Sequence, residues 1–226
     1  MAVAIVAAAG TGRRLGEDRP KALVAIGGRP LVAWCLAAFA GSRSVSRAVV
    51  AAPPGHEQEL AAVAEVAAPL LEVVVVGGGP SRSHSVANAL ATVDSEVVVV
   101  HDAARPLVTP ELIDRCVEQL DRFGCAGVVA AARATDTIKE TDSGGRVIAT
   151  LERSHLWAVQ TPQAFQAAAL RKALASASLE HAYDDAQVVE AVGGEVRIVE
   201  APRENLKVTT ELDARVAGLL LTSRAE

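Results

Sequence analysis

A chain of 226 residues, half of them hydrophobic and 22% charged, is long enough to bury one large core and too apolar for a disordered or fibrous class. Its formal charge of -5 argues against a protein that coats nucleic acid, which needs an extended basic face, so any phosphate-binding cations must be gathered locally. Cys35, Cys116 and Cys125 are odd in number, stand in apolar surroundings and lack Cys-x-x-Cys spacing; they read as reduced core thiols of a cytoplasmic protein.

The apolar run Ala2 to Ala9 has no basic segment before it and is too short for a signal peptide or a membrane span, so it reads as the first buried strand. It leads into Gly10-Thr11-Gly12-Arg13-Arg14-Leu15-Gly16, followed by Pro20-Lys21. Glycines there let backbone N–H groups approach phosphate oxygens, and Arg14 and Lys21 neutralise charge that backbone dipoles alone cannot, which points to a nucleoside triphosphate. No Gly-Lys-Ser or Gly-Lys-Thr follows Gly12, against a P-loop. The next strand, Arg47 to Ala52, runs into Pro53-Pro54 with no carboxylate at its tip to grip a ribose, against a dinucleotide-binding fold.

Further apolar β-branched runs occur at Val45–Val50, Val73–Val76, Val97–Val100, Val128–Ala131 and Val196–Val199. Continuous rather than alternating apolar residues mark strands covered on both faces. Helical periodicity fills the intervals at Pro30–Ala40, Gly55–Ala67, Arg82–Thr92, Pro110–Phe123, Ala164–Ala175, Asp184–Val192 and Glu211–Thr222, with Thr109 and Pro110 as an N-cap and first-turn proline. The pattern predicts one doubly wound, mostly parallel α/β sheet spanning residues 1–226. Residues 133–155 break the rhythm: two short amphipathic strands flank Asp142-Ser143-Gly144-Gly145, a hairpin arm suited to clasping a second subunit.

Four islands carry a resemblance. They are Ala8-Ala9-Gly10-x-Gly12-x-Arg14 with Pro20-Lys21; Gly78-Gly79 with Arg82-x-x-Ser85-Val86; His101-Asp102-Ala103-Ala104-Arg105-Pro106; and Asn205-Leu206-Lys207-Val208-Thr209. In this order, and along nearly the whole length, the chain resembles the cytidylyltransferases of the non-mevalonate isoprenoid route. The resemblance implies a Rossmann-like nucleotidyltransferase fold and a Mg2+-dependent homodimer. The implied reaction joins CTP to 2-C-methyl-D-erythritol 4-phosphate and releases pyrophosphate.

It also implies roles. Arg14, Lys21 and Lys207 serve the phosphates in catalysis, while Ala8, Ala9, Gly10, Gly12, Gly79 and Ser85 hold the cytidine nucleotide. Asp102, Arg105, Thr137 and Arg153 receive the sugar-alcohol phosphate, the last two in the neighbouring subunit's site. Independently of resemblance, Asp102 stands at the carboxyl end of a valine strand, where open α/β sheets bind ligands, and supplies a hard oxygen donor for Mg2+. The alternative is a turn aspartate that caps the following backbone. Arg153 has an alternative as a solvent-exposed partner of Glu152 or Asp142, and Asp184 and Asp185 either cap the next helix or reach the site. His101 reads as structural: a phosphate monoester with a second pKa of about 6 is already an anionic nucleophile and needs no general base.

Departures fall at Ala7, Pro80 and Tyr183, where the family commonly has proline, a polar or acidic residue, and threonine. Tyr183 bears on the alcohol pocket, which keeps a ribitol 5-phosphate cytidylyltransferase as an alternative. A non-catalytic nucleotide-binding protein is the alternative from another class.

Overall fold

The computed structural model describes residues 1–10, 12, 19–176 and 184–224. Eleven strands and seven α-helices alternate along them: β1 (Ala2–Ala7), β2 (Ala25–Ile26), β3 (Arg29–Pro30), α1 (Leu31–Ala40), β4 (Val45–Ala52), α2 (Glu57–Ala67), β5 (Glu72–Gly77), α3 (Arg82–Leu90) and β6 (Val97–Asp102). Then follow α4 (Pro110–Phe123), β7 (Gly127–Arg133), β8 (Lys139–Thr141), β9 (Val147–Thr150), β10 (Trp157–Gln166), α5 (Ala167–Ser176), α6 (Asp185–Ala191), β11 (Val196–Glu200) and α7 (Glu211–Ser223).

Seven strands form one sheet in the order β11-β7-β10-β6-β1-β4-β5. All are parallel to their neighbours except β10, which runs antiparallel to both β6 and β7. Alternate residues of the valine strands feed opposite faces. Ala4, Val6, Val50 and Val99 pack with α1, α2 and α4, whereas Val3, Ile5, Val49 and Val100 pack with α3, α5 and α6. Burial on both sides is what the continuous apolar runs encode. A smaller cluster of Val24, Ile26, Leu107, Val208, Ala217 and Leu221 seats α7 on the β2–β3 hairpin.

The six valine-rich strands and the seven helices fall where the sequence predicts, with one correction. The helix expected over Ala164–Ala175 begins at Ala167, because Ala164 to Gln166 finish β10. This ten-residue strand gave no apolar strand signal, since Pro162 lies inside it and lacks an N–H for a ladder. Its register with β7 is interrupted between Val159 and Gln163, so the proline falls where pairing to β7 lapses. Thr109 caps α4 as expected, its side chain accepting from the Leu112 N–H.

The arm is present as β8 paired antiparallel to β9. Asp142 closes its turn by accepting the N–H groups of Gly144 and Arg146, each at 3.0 Å, and Gly145 has φ 81°. Val147 and Ile148 on this arm are each 54% exposed. No helix among the described residues is long and apolar enough to cross a membrane.

Candidate active site

β1 lies between β6 and β4, so the chain departs from it in both directions, and the carboxyl ends at such a switch point open a crevice. Register places Ala7 opposite Asp102 at that end, and the Ala103 N–H donates to the Ala7 carbonyl at 3.1 Å. A cavity of about 430 Å3 opens there. Its wall includes Ala8, Ala9, Gly10, Gly12, Lys21, Gly79, Ser85, Asp102 and Lys207, nine of the residues singled out from sequence. Arg14 and Tyr183 lie outside the described residues.

Local chemistry explains how each segment reaches the cavity. Gly12 has φ 72°, and a Cβ there would meet the Arg19 carbonyl oxygen at 3.0 Å, so the loop requires glycine. The Lys21 N–H donates to the Gly10 carbonyl at 3.1 Å, tying the lysine to this loop, while Ala22 and Leu23 anchor the next turn in the core. The Val208 N–H donates to the Ala104 carbonyl at 2.8 Å, which fixes the Lys207 segment against the turn after Asp102.

Gly79 packs against α3: a Cβ would lie 2.5 Å from the His84 Cβ. Its N–H donates to Ser85 Oγ at 3.0 Å, and the Ser85 hydroxyl donates to the Ser81 carbonyl at 2.9 Å. Ser85 thus braces the glycine loop as well as lining the cavity. Ser81 caps α3 by accepting the His84 N–H, so the start of this helix, with its partial positive charge, faces the cavity.

The centre of the site is a charged cluster. Lys207 Nζ donates to Asp102 Oδ2 at 2.6 Å, and Arg82 Nε donates to Asp102 Oδ1 at 2.7 Å. Arg82 Nη1 donates in turn to Asp185 Oδ2 at 2.7 Å. Burial alone would push the Asp102 carboxyl up, but Arg82 and Lys207 outweigh it and hold the group well below the usual carboxylate range. Burial raises the Asp185 carboxyl, and the Arg82 contact works against that rise.

His101 is fully buried behind this cluster, and its imidazole pKa is pushed down to about 4 by that burial. Because the Arg105 carbonyl only accepts, His101 Nε2–H donates to it at 3.1 Å, leaving Nδ1 to accept from the Thr161 hydroxyl at 3.0 Å. Thr161 Oγ1 accepts the Asp102 N–H at 3.0 Å. A neutral imidazole so placed shapes the backbone around Asp102.

The remaining expected residues lie elsewhere in one chain. Arg105 is absent from the cavity wall; its Nη1 donates to the Asn205 carbonyl at 2.8 Å and its Nη2 faces the Val159 carbonyl at 3.5 Å. Thr137 is exposed on the approach to β8. Arg153 donates to the Thr135 carbonyl at 2.7 Å and lines a separate hollow at the root of the arm with Arg133, Glu152 and Ser154. Its alternative partners, Glu152 and Asp142, engage Ser154 and Arg146 respectively.

Arg82 stands in the Gly78-Gly79 motif with no role assigned to it from sequence, which leaves Asp184 and Asp185 between capping and the site. They divide the two alternatives: Asp184 caps α6, accepting from the Gln187 N–H at 2.8 Å, and Asp185 reaches Arg82. An acidic pair at a helix start, with one member beyond the cap, was the available signal. Among the described residues no group of three or more His, Cys, Asp or Glu side chains is gathered for a metal. Asp102 still suits Mg2+ carried in by a triphosphate, because that ion takes one or two carboxylates and fills its shell with phosphate oxygens and water.

Comparison with known proteins is consistent along the chain. The family model "IspD: 2-C-methyl-D-erythritol 4-phosphate cytidylyltransferase" matches residues 2–223. A protein of that name from Rhodococcus jostii is 45% identical over 224 residues, covering 99% of this chain and 96% of its own. The crystal structure of the enzyme of that name from Thermus thermophilus superposes with a TM-score of 0.79 at 35% identity, covering 98% of each chain. The 4-diphosphocytidyl-2C-methyl-D-erythritol synthase of Anaerococcus prevotii gives 0.87 at 26% identity, over 98% of this chain and 96% of the other.

Proposed function

The chain belongs to the 2-C-methyl-D-erythritol 4-phosphate cytidylyltransferase family, and from that premise we propose that it joins CTP to 2-C-methyl-D-erythritol 4-phosphate. The products are 4-diphosphocytidyl-2-C-methyl-D-erythritol and pyrophosphate. The observation that carries this reading is the convergence of Lys21, Lys207 and the Asp102 carboxylate on one cavity behind two glycine turns.

The cytosine and ribose lie between the Ala8-Ala9 backbone and the Gly79 to Ser85 wall, whose small side chains limit the space for a purine. Lys21 lies along the triphosphate and stabilises charge that moves onto the leaving pyrophosphate, the role the family pattern also gives to Arg14. Lys207 leaves Asp102 Oδ2 for the α-phosphate, a short move for a flexible ammonium already at the cavity mouth. When bound, Mg2+ supplies neutralisation of the phosphate charge, and Asp102 is the residue that holds it. The second substrate's phosphate monoester attacks the α-phosphorus in line, and the bond to the bridging oxygen breaks toward pyrophosphate.

Two further parts belong to the same proposal. Thr137, Arg153 and Arg105 receive the sugar-alcohol phosphate, with the arm of one subunit reaching the cavity of the other in a homodimer. Exposed Ile138, Val147 and Ile148 on the arm support this, since pairing would cover them. The enzyme works in the cytoplasm, in keeping with three buried, unpaired thiols.

Pyrophosphate release from CTP and Mg2+ with each of two acceptors tests the reaction. Turnover with 2-C-methyl-D-erythritol 4-phosphate is expected; turnover with ribitol 5-phosphate alone would replace the acceptor, and CTP binding without turnover on either would make the protein a nucleotide binder.

A further inference from the structure

Asp185 is not part of the cavity wall, yet its carboxylate holds a residue that is. Its side chain is fully buried at the start of α6, and Oδ2 accepts Arg82 Nη1 at 2.7 Å. Arg82 spans from there to Asp102 Oδ1, also at 2.7 Å, using a different nitrogen of the same planar guanidinium. A guanidinium held by two carboxylates at two edges has a fixed plane, and that plane fixes the carboxylate on its cavity side. Asp184, the neighbour, already caps α6, so capping does not explain Asp185. Nor does packing explain a carboxylate there: Asp185 Oδ1 is buried without a hydrogen-bond partner among the described residues, a cost that an apolar side chain would avoid.

We propose that Asp185 is a positioning residue for cytidylyl transfer, holding Arg82 so that the Asp102 carboxylate keeps its orientation when Lys207 leaves it. The inference rests on the reaction given above. In the resting cluster, two carboxylates balance two cations. Once Lys207 turns to the nucleotide, Arg82 is the remaining side-chain partner of the Asp102 carboxylate among the described residues, and Asp185 is what keeps Arg82 from following Lys207 toward the phosphates. Without the Asp185 charge the cavity becomes more positive, so nucleotide binding is preserved or strengthened while the alignment of Asp102 is lost. General loss of structure would weaken both together.

The test compares the unmodified protein with Asp185→Asn, Arg82→Gln and the double variant. Each is assayed by pyrophosphate release, and CTP binding is measured by calorimetry without acceptor. Asp185→Asn should lower kcat about tenfold, the scale of one hydrogen bond to a charged group, with the CTP dissociation constant unchanged or lower. The double variant should be no slower than Arg82→Gln, because Asp185 acts only through Arg82. The proposal is overturned by a kcat within about twofold of the unmodified protein, by parallel loss of kcat and CTP binding, or by losses that multiply in the double variant. If the unmodified protein releases no pyrophosphate, the reading of the reaction fails, and crystal structures decide the inference instead. An Asp102 carboxylate turned off its Arg82 contact in Asp185→Asn supports it, and an unmoved one overturns it.

Discussion

Asp102 and Lys207, 105 positions apart in sequence, meet with Nζ 2.6 Å from Oδ2 at the carboxyl end of β6. The carboxylate is nearly buried and the lysine side chain is 44% exposed, so the pair is anchored on one side and free to exchange on the other. That asymmetry suits a site in which an incoming triphosphate takes the lysine and leaves the carboxylate for a cation.

Replacing Asp102 with Asn should therefore slow turnover much more than it harms the fold. The expected fall in kcat is about a hundredfold, the scale seen on removing one preorganised electrostatic group. Steady-state pyrophosphate release with circular dichroism of the same sample checks this; a near-native rate would remove Asp102 from the chemistry.

Lys21 and Lys207 face the same cavity from different segments, one tied to the Gly10 loop and one to the Ala104 turn. Lys21→Met and Lys207→Met should each reduce kcat/KM by about a hundredfold or more. Rapid-quench measurement of the chemical step, separated from CTP binding, checks both; an effect confined to binding would assign the lysine to uniform affinity.

Burial of His101 gives the fold a pH dependence whose sign follows from its lowered pKa. The unfolded chain takes up this proton near 6.5, whereas the folded protein resists it until about 4. As pH falls through that window the unfolded state binds one more proton than the folded state, so stability falls, by about 3 kcal/mol in total. Asp102, whose carboxyl is held below its ordinary value of 3.8, contributes stability that is kept above that value and lost only at lower pH. Urea unfolding between about pH 4 and 7 should show a larger loss of stability toward acid in the native protein than in His101→Gln, with Asp185, raised by burial, acting in the opposite sense in both; identical profiles would contradict it.

Gly79→Ala places a Cβ 2.5 Å from that of His84, closer than real atoms approach, so the loop or the start of α3 must shift. A destabilisation of about 1–3 kcal/mol is expected from such overpacking, together with weaker CTP binding. Thermal unfolding and calorimetry measure the two effects, and an unchanged CTP affinity would separate the glycine turn from the nucleotide site.

How much of this was legible beforehand depended on the range of the interaction involved. Valine runs mark strands directly, so six strands of the sheet could be read from local pattern, although the two edge strands are not covered on both faces: β5 is only half-buried and Ile198 of β11 is 41% exposed. β10 could not, because Pro162 and three glutamines disguise a strand whose pairing partners, β6 and β7, lie far back in the sequence. Asp102, Lys21 and Lys207 stand in local motifs, and all three line the cavity. The contacts of Arg82 were not legible, since its two partners lie 20 and 103 residues away, at the end of β6 and the start of α6. Arg105, which its motif also marks, lies outside the cavity wall in the single chain, with its guanidinium on the Asn205 carbonyl.

The proposed homodimer, in which each arm completes the other subunit's site, predicts complementation. Asp102→Ala and Arg153→Ala are each expected to be inactive, but after subunit exchange every mixed dimer carries one intact site. Partial recovery of pyrophosphate release on mixing checks this, and no recovery despite demonstrated exchange would favour a site built from one chain.

A crystal structure with CTP and Mg2+ reads the proposed contacts one by one. Cytosine is expected against the Ala8-Ala9 backbone, the triphosphate along Lys21, and Lys207 moved from Asp102 to the α-phosphate. A nucleotide bound elsewhere, with Lys207 still on Asp102, would contradict these contacts.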